Sequence, residues 1–533
     1  MVRRAALLVV LAAAVTVVSA PAPAPAQAPG PELVELCEDS GLGDRTCASV
    51  VAGSVLLASL CADSGAPPEA CAAATDGEVV DPAVLARYES GWVHRALRLQ
   101  SRLDEARPLV NSLWPHSHNS ANSTAYAPSV SSLDPNQRWS ILDQLRMGIR
   151  AIELDLHPGP GGGVVLCHGR QVDLGATIVH LGCSVDRPLS AGLEELRSFL
   201  DLPGNEREVV LLYLENQLES DPVLHDVVAQ ELQRALGPLV ARPAPGAPCA
   251  EMPLDRSRAD LLADERRVLV VGDCGPGGWG SWVHERGPRW DERSLGDGYA
   301  PYPDCMAFER ASRAYDDTWI RVYEDATWLS AVVDGRFRPQ TADDVREMVH
   351  CGVDMVGFDR ISPTDPRLAA LVWSWAEGEP VEDPARRCVA LGNDGRFRAA
   401  GCEEERGYAC HSAAGEWLVP EAVGPASGAG PACATVGAAP ATPPTGWDNE
   451  RLKAAAGTAR ELWLPIPNPL DAASSAARPP LAALPAAPDA RPVGTAAASL
   501  PATGRALPAG AAAAVLALLL AARARSVGPS DGR

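Results

Sequence analysis

The stretch GIRAIELDLHPGPGGGVVLCHG, residues 148–169, decides the fold. Residues two apart on a strand share a face, so Ile152, Leu154 and Leu156 point one way while Glu153, Asp155 and His157 point the other. A parallel strand buried on both faces is apolar throughout, so two carboxylates on one of its faces require a partner. The Gly-rich turn that follows, and the next apolar run, which delivers His168 at its end, set this polar group near the carboxyl end of a strand. In a parallel barrel that is the end where sites are built.

The pattern around this stretch alternates. Between residues 109 and 379, short apolar runs (AIELDL, EVVLLYLEN, RRVLVVGDC, TWIRVYED, VDMVGFD) are separated by helix-period stretches such as SILDQLRMG, SAGLEELRSFLDL, PVLHDVVAQELQRAL and TADDVREMVHCG. The spacing predicts an α/β fold, a (β/α)8 TIM-type barrel, closed by a helix over DPRLAALVWSWAEG. EVVLLYLEN delivers Glu215 at its end, and LWPHSHNS sets His118 and Asn119 after the first apolar run. Polar groups therefore reach one end of four different strands. Asp359, in VGFDRISPTD, either orients a histidine or starts a helix.

Composition bounds the rest. A chain of 533 residues exceeds the roughly 250–300 at which single cores stop growing, so several domains are expected. Net charge is −22 and Lys453 is the sole lysine, which excludes nucleic acid as a partner and argues against adsorption to anionic lipid by charge alone. Arg3 and Arg4, an apolar run and a small-residue stretch read as a signal peptide over residues 1–26. The fourteen cysteines that follow then read as disulfides rather than metal ligands, and the spacing allows neighbouring pairs such as Cys37 with Cys47 and Cys61 with Cys71 without fixing them. Residues 27–108 read as a helical, disulfide-containing segment, 380–467 as a cysteine-rich module and 468–499 as an Ala/Pro linker. Residues 500–533 hold LPATG, an apolar stretch from Ala506 to Ala522 and a basic tail.

Four resemblances follow from these residues. SHNS, GIRAIELDLH, CHG and LYLEN look like the catalytic X region of phosphoinositide-specific phospholipase C, in order and approximate spacing. They resemble its calcium-dependent branch, because His118-Asn119 and Glu153-x-Asp155 stand where the calcium-independent bacterial branch has His-Asp and Asp-x-Arg. RCVALGNDGRFRAAGCEEERGYACHSAAGEW is similar to the carboxyl half of a C-type-lectin-like fold, and the LPATG composite resembles a sortase sorting signal.

The phospholipase resemblance implies a metal set of Asn119, Glu153, Asp155 and Glu215, oxygen ligands suited to Ca²⁺. It also implies His118 stabilising developing phosphate charge, His168 protonating the leaving oxygen, Glu153 removing the proton of the attacking hydroxyl, and Arg170 contacting phosphate. His116 and His157 read as bystanders. The implied partner is a phospholipid at a membrane or micelle surface, cleaved by a monomeric enzyme that is secreted and, after sortase processing, held at the cell wall or surface. No strand here carries the lysine that reads ring phosphates in eukaryotic members, which favours phosphatidylinositol or a glycosylated derivative.

Two other readings stay open. Glycerophosphodiester phosphodiesterases and sphingomyelinase D-type lyases share the E-x-D strand and a later histidine, and would use Mg²⁺ in place of Ca²⁺. A wall-displayed adhesin would use the barrel as scaffold alone.

Overall fold

The computed structural model describes residues 80–126, 135–168, 170–173, 178–181, 187–294, 302–305, 317–327, 337, 339–457 and 460–471. The signal peptide, the cysteines before Cys167, almost all of the linker and the sorting signal lie outside the described residues. Among the described residues no helix is long and apolar enough to cross a membrane.

A parallel sheet curls around the site. Its strands are β1 Trp114–Ser117, β2 Ala151–Pro158, β6 Val210–Asn216, β7 Val240–Ala241, β8 Val268–Gly272, β9 His284–Glu285, β10 Trp290–Ser294, β11 Trp319–Tyr323 and β12 Met355–Phe358, with β3 Val164–Leu166 added at β2. The remaining strands before residue 182, β4 Arg170–Asp173 and β5 Ile178–Leu181, form a separate hairpin. The order β10-β11-β12-β1-β2-β6-β8 is parallel throughout, and β7 and β9 share the far edge of β8.

The (β/α)8 expectation holds as a curled parallel sheet but not as a closed barrel. Among the described residues no ladder joins β9 to β10. Side chains span that seam instead: Arg286 pairs with Glu292 at 3.3 Å and donates to the Tyr213 hydroxyl at 3.1 Å.

The two faces of β2 separate as the sequence dictates. Ile152, Leu154 and Leu156 pack outward against Leu193, Leu196 and Val228 of the helices α4 Leu189–Leu200 and α5 Pro222–Ala235, which follow α1 Pro82–Glu89, α2 Trp92–Gln100 and α3 Ile141–Arg146. Truncating one such leucine to alanine costs about 2–5 kcal/mol. The inward ladders have an apolar floor of Trp114, Ala151, Leu211, Leu269, Trp319 and Met355. Two residues further along each of five strands stand His116, Glu153, Tyr213, Arg321 and Gly357, and two further again His118, Asp155, Glu215, Tyr323 and Asp359. A period of two thus converts an apolar floor into a polar top.

The helices α6 Arg258–Ala263 and α7 Ala342–His350 begin on full capping boxes, Ser257 with Asp260 and Thr341 with Asp344. The expected closing helix is cut to α8 Pro366–Ala370. Beyond it Gln100 Oε1 accepts from the Trp373 and Ser374 amides, at 2.9 and 3.2 Å, and Phe397 N–H donates to Ser374 O at 2.7 Å, so the chain leaves the helix to join an extended pairing.

The cysteine-rich part has two small sheets. One orders β14 Phe397–Ala400, β13 Cys388–Leu391, β19 Leu462–Pro467 and β15 Gly407–Tyr408; the other orders β17 Trp417–Leu418, β16 Cys410–Ser412 and β18 Ala438–Pro440. Helices α9 Ala429–Ala434 and α10 Gly446–Ala456 complete it, with disulfides Cys388–Cys402 and Cys410–Cys433. Val389, Leu391, Phe397, Leu462 and Leu464 share one hydrophobic core with Val345, Met348, Trp373 and Trp375 of the barrel, so packing is continuous across residue 380.

Candidate active site

Strand register builds the site. Ser117 pairs with Phe358, and His118 N–H donates to Phe358 O at 3.0 Å, so the residues just beyond, His118 and Asp359, come side by side. His118 Nδ1 lies 3.0 Å from Asp359 Oδ1. Asp359 is thus an orienting carboxylate rather than a helix start. Burial opposes the imidazolium charge, but Asp359 and Glu153 outweigh it and push His118 up to about 10.

Asp155 and Glu215 are register partners on β2 and β6. One oxygen each of Glu153, Asp155 and Glu215 lie within 4.8 Å of one another. Burial raises the pKa of Asp155, and Asp155 with burial and Glu153 pushes Glu215 up to about 7.

His168 arrives by a different route from the one its sequence suggests. VVL is not a further parallel strand: β3 runs antiparallel to β2, with Leu156 opposite Leu166, and Cys167 N–H donates to Asp155 O at 3.1 Å. The turn at residues 159–163, with Gly161 and Gly162 at φ of 70° and 81°, reverses the chain where only glycine turns freely. His168 Nδ1 therefore meets Asp155 Oδ2 at 2.8 Å, and its ring centre lies 6.3 Å from that of His118. The side chain of His168 is 39% exposed, whereas that of His118 is 10% exposed.

The partner that the carboxylates of β2 require is Arg321 of β11. Its Nη2 donates to both oxygens of Glu153, at 2.8 and 2.7 Å, and its Nη1 lies 2.9 Å from Glu292. Its sequence context, TWIRVYED, reads as a strand with Arg321 in its middle and two acidic residues at its end, and carries no signal that a guanidinium points inward. Glu153 also accepts from the Asn119 main-chain N–H at 3.2 Å and lies 3.2 Å from His116 Nε2. Burial raises its pKa, but Arg321, His118 and His116 outweigh that and hold it well below the carboxylate range. His116, expected to be a bystander, therefore abuts Glu153, while His157 is buried further along β2. The side chain of Arg170 lies outside the described residues.

Asn119 has a left-handed backbone, φ 47°. Its Oδ1 stands 3.2 and 3.3 Å from the oxygens of Asp155, acceptor against acceptor. Turning the amide over removes the conflict; so does a cation among these oxygens. The donor set is thus chemically fitted to a hard divalent ion, with oxygen ligands and excess negative charge.

Comparison with known proteins gives the family of the chain. A family model described as the Rv2075c PI-PLC-like domain matches residues 77–365. An uncharacterised protein of Mycobacterium tuberculosis, in strains H37Rv and CDC 1551, is 39% identical over 405 residues, covering 72% of this chain and 82% of its own. Among solved structures, the phosphatidylinositol-specific phospholipase C of Listeria monocytogenes is 13% identical, with 52% of this chain and 97% of that one covered and a TM-score of 0.33. A phosphatidylinositol-specific phospholipase C from Staphylococcus aureus is 12% identical, with 54% and 98% covered and a TM-score of 0.34. The family match takes in more than half of the chain and every strand of the site, so this chain belongs to the Rv2075c PI-PLC-like family and is a phosphoric diester hydrolase or lyase.

Proposed function

We propose that this chain is a secreted, calcium-dependent phosphodiesterase that cleaves phosphatidylinositol-type lipids to diacylglycerol and a cyclic inositol phosphate. The observation that carries the proposal is two His–Asp pairs, His118–Asp359 and His168–Asp155, facing each other beside three clustered carboxylates.

His118, cationic and nearly buried, donates to the non-bridging phosphate oxygens as negative charge develops there. His168, oriented through Nδ1 by Asp155, presents its other nitrogen to the leaving diacylglycerol oxygen and protonates it. Proton removal from the attacking hydroxyl, expected of Glu153, moves to another group. A carboxylate gripped by Arg321 and held far below its ordinary pKa is a weak base. Among the described residues Glu215 carries no charged hydrogen-bond partner, only the Gln217 amide at 3.0 Å, so one of its oxygens is open to the attacking hydroxyl. Asn119, Glu153, Asp155 and Glu215 would hold the metal, with Arg321 offsetting one carboxylate. When bound, Ca²⁺ supplies Lewis-acid neutralisation of phosphate charge and lowers the hydroxyl pKa.

Export through residues 1–26 and sortase attachment through residues 500–533 belong to the same proposal, which the disulfides among the described cysteines support. The cysteine-rich module, similar in sequence to a C-type-lectin fragment, is proposed as an accessory element, and the enzyme as a monomer. Phosphorus NMR of phosphatidylinositol micelles tests the activity. Calcium should give a cyclic inositol phosphate signal that chelator abolishes. Silence there, with turnover of glycerophosphodiesters or sphingomyelin, would overturn the substrate and leave the class.

A further inference from the structure

Behind the His118–Asp359 pair lies a buried carboxylate that the chemistry above does not use. Glu324 follows β11 and is fully buried. Its Oε1 accepts from the Asp359 amide at 2.6 Å, and its Oε2 from the Gln340 amide at 2.5 Å. The Arg367 guanidinium pairs with Glu324 through Nη1, and through Nη2 donates to Asp359 O at 2.9 Å. Asp365 is the other carboxylate on Arg367. One ion pair thus holds both main-chain polar groups of Asp359.

The carboxylate of Asp359 is fixed as completely. Oδ1 takes His118 and the Asn136 amide, the latter at 2.9 Å, and Oδ2 takes the Ala326 N–H at 2.8 Å, two residues beyond Glu324. The next residue, Arg360, has φ 51°, a conformation costly for a side chain with a Cβ. The chain turns against its preference immediately after Asp359, and a turn of that kind persists only where the surroundings over-determine it. A buried ion pair is a poor device for stability, because desolvation offsets most of its attraction. Directed at the backbone of one residue, it is a good device for geometry.

We propose that Glu324 and Arg367 are positioning residues, which grip the main chain of Asp359 and so set the aim of His118 at the phosphodiester. The inference rests on the reading of His118 given above. Neither residue touches substrate, and each acts through Asp359.

The test uses the full chain with Glu324→Gln and Arg367→Lys. The first keeps shape and loses charge; the second keeps charge and loses one arm of the fork, so it remains informative if the first does not fold. Expected is a fall in kcat on phosphatidylinositol of about 10- to 100-fold, with KM changed less than about two-fold, since a small misplacement costs orientation rather than binding. The downfield proton of the His118–Asp359 hydrogen bond, assigned by its loss in Asp359→Asn, should shift or broaden in both variants. That signal needs no substrate. Loss of the signal in Glu324→Gln together with a parent chain inert on phosphatidylinositol would uphold the positioning role and overturn the substrate. A folded variant with lowered Tm but unchanged kcat and proton signal would make the pair merely structural and overturn the inference.

Discussion

Each residue of the site is specialised by its hydrogen-bond partners. The two histidines are alike in sequence, yet His118 is buried against Asp359 while His168 stands half-exposed on Asp155. His168→Ala should therefore lower kcat on phosphatidylinositol by about 10²- to 10⁴-fold. The loss should shrink on a substrate with a nitrophenyl leaving group, which departs without a proton; an equal loss on both would remove His168 from the acid role. Glu215 makes a pH prediction. A base must be deprotonated, so with little Ca²⁺ the acid limb of kcat/KM should rise through about pH 7, and added Ca²⁺ should move that limb down by stabilising the carboxylate. A limb that ignores Ca²⁺ would separate Glu215 from the metal. Gly357 shows how tight the middle of the ladder is: a Cβ there would meet His116 Nδ1 at 2.5 Å and Tyr323 Cβ at 2.8 Å.

Between elements, charge is placed where strands and helices must meet in one register. Glu208, just before β6, receives Arg150 at 2.7 Å from the start of β2, and lies 3.5 Å from Arg98 of α2 and 3.4 Å from Arg102. Burial raises its pKa, but the three arginines outweigh that and bring it from 4.5 to about 2. A depressed carboxylate stabilises the fold above its unfolded pKa and loses that contribution as pH falls through the folded value. Over the window from 4.5 to about 2 this amounts to about 3 kcal/mol. Glu208→Gln should show lower stability in urea at pH 7 and a flatter dependence between pH 4.5 and 2. An unchanged acid profile would show that the clamp forms before folding or not at all.

Taken whole, the molecule joins the curled sheet and the cysteine-rich part through one core. Trp373, Trp375 and Phe397 are at most 2% exposed, and removing the chain after residue 379 would bare the first two. Truncation there should yield a product that melts at lower temperature or aggregates, with activity lost in proportion to unfolding. A truncated chain with the parent Tm would establish the module as an independent domain. The open seam between β9 and β10 is the other feature at this scale. Glu292 lies beside it and pairs with both Arg286 and Arg321, so the ion pair that spans the seam leads on to Glu153.

The sequence alone determined what depends on local period and composition. The two faces of β2, the alternation of strands with helices, and the convergence of His118, Asn119, Glu153, Asp155 and Glu215 at one end follow from a side-chain period of two and from buried parallel strands having no room for unexplained charge. Long-range pairing was beyond its reach. Arg321 is 168 residues from Glu153, and no pattern in TWIRVYED marks it as the cation that pairs with that carboxylate. The antiparallel return of β3, the seam, the shortened α8 and the Glu324–Arg367 grip on Asp359 were also settled by the tertiary structure. A hydrophobic run fixes that a strand exists; which strand lies beside it, in which direction and in which register, is set by the packing of the whole sheet.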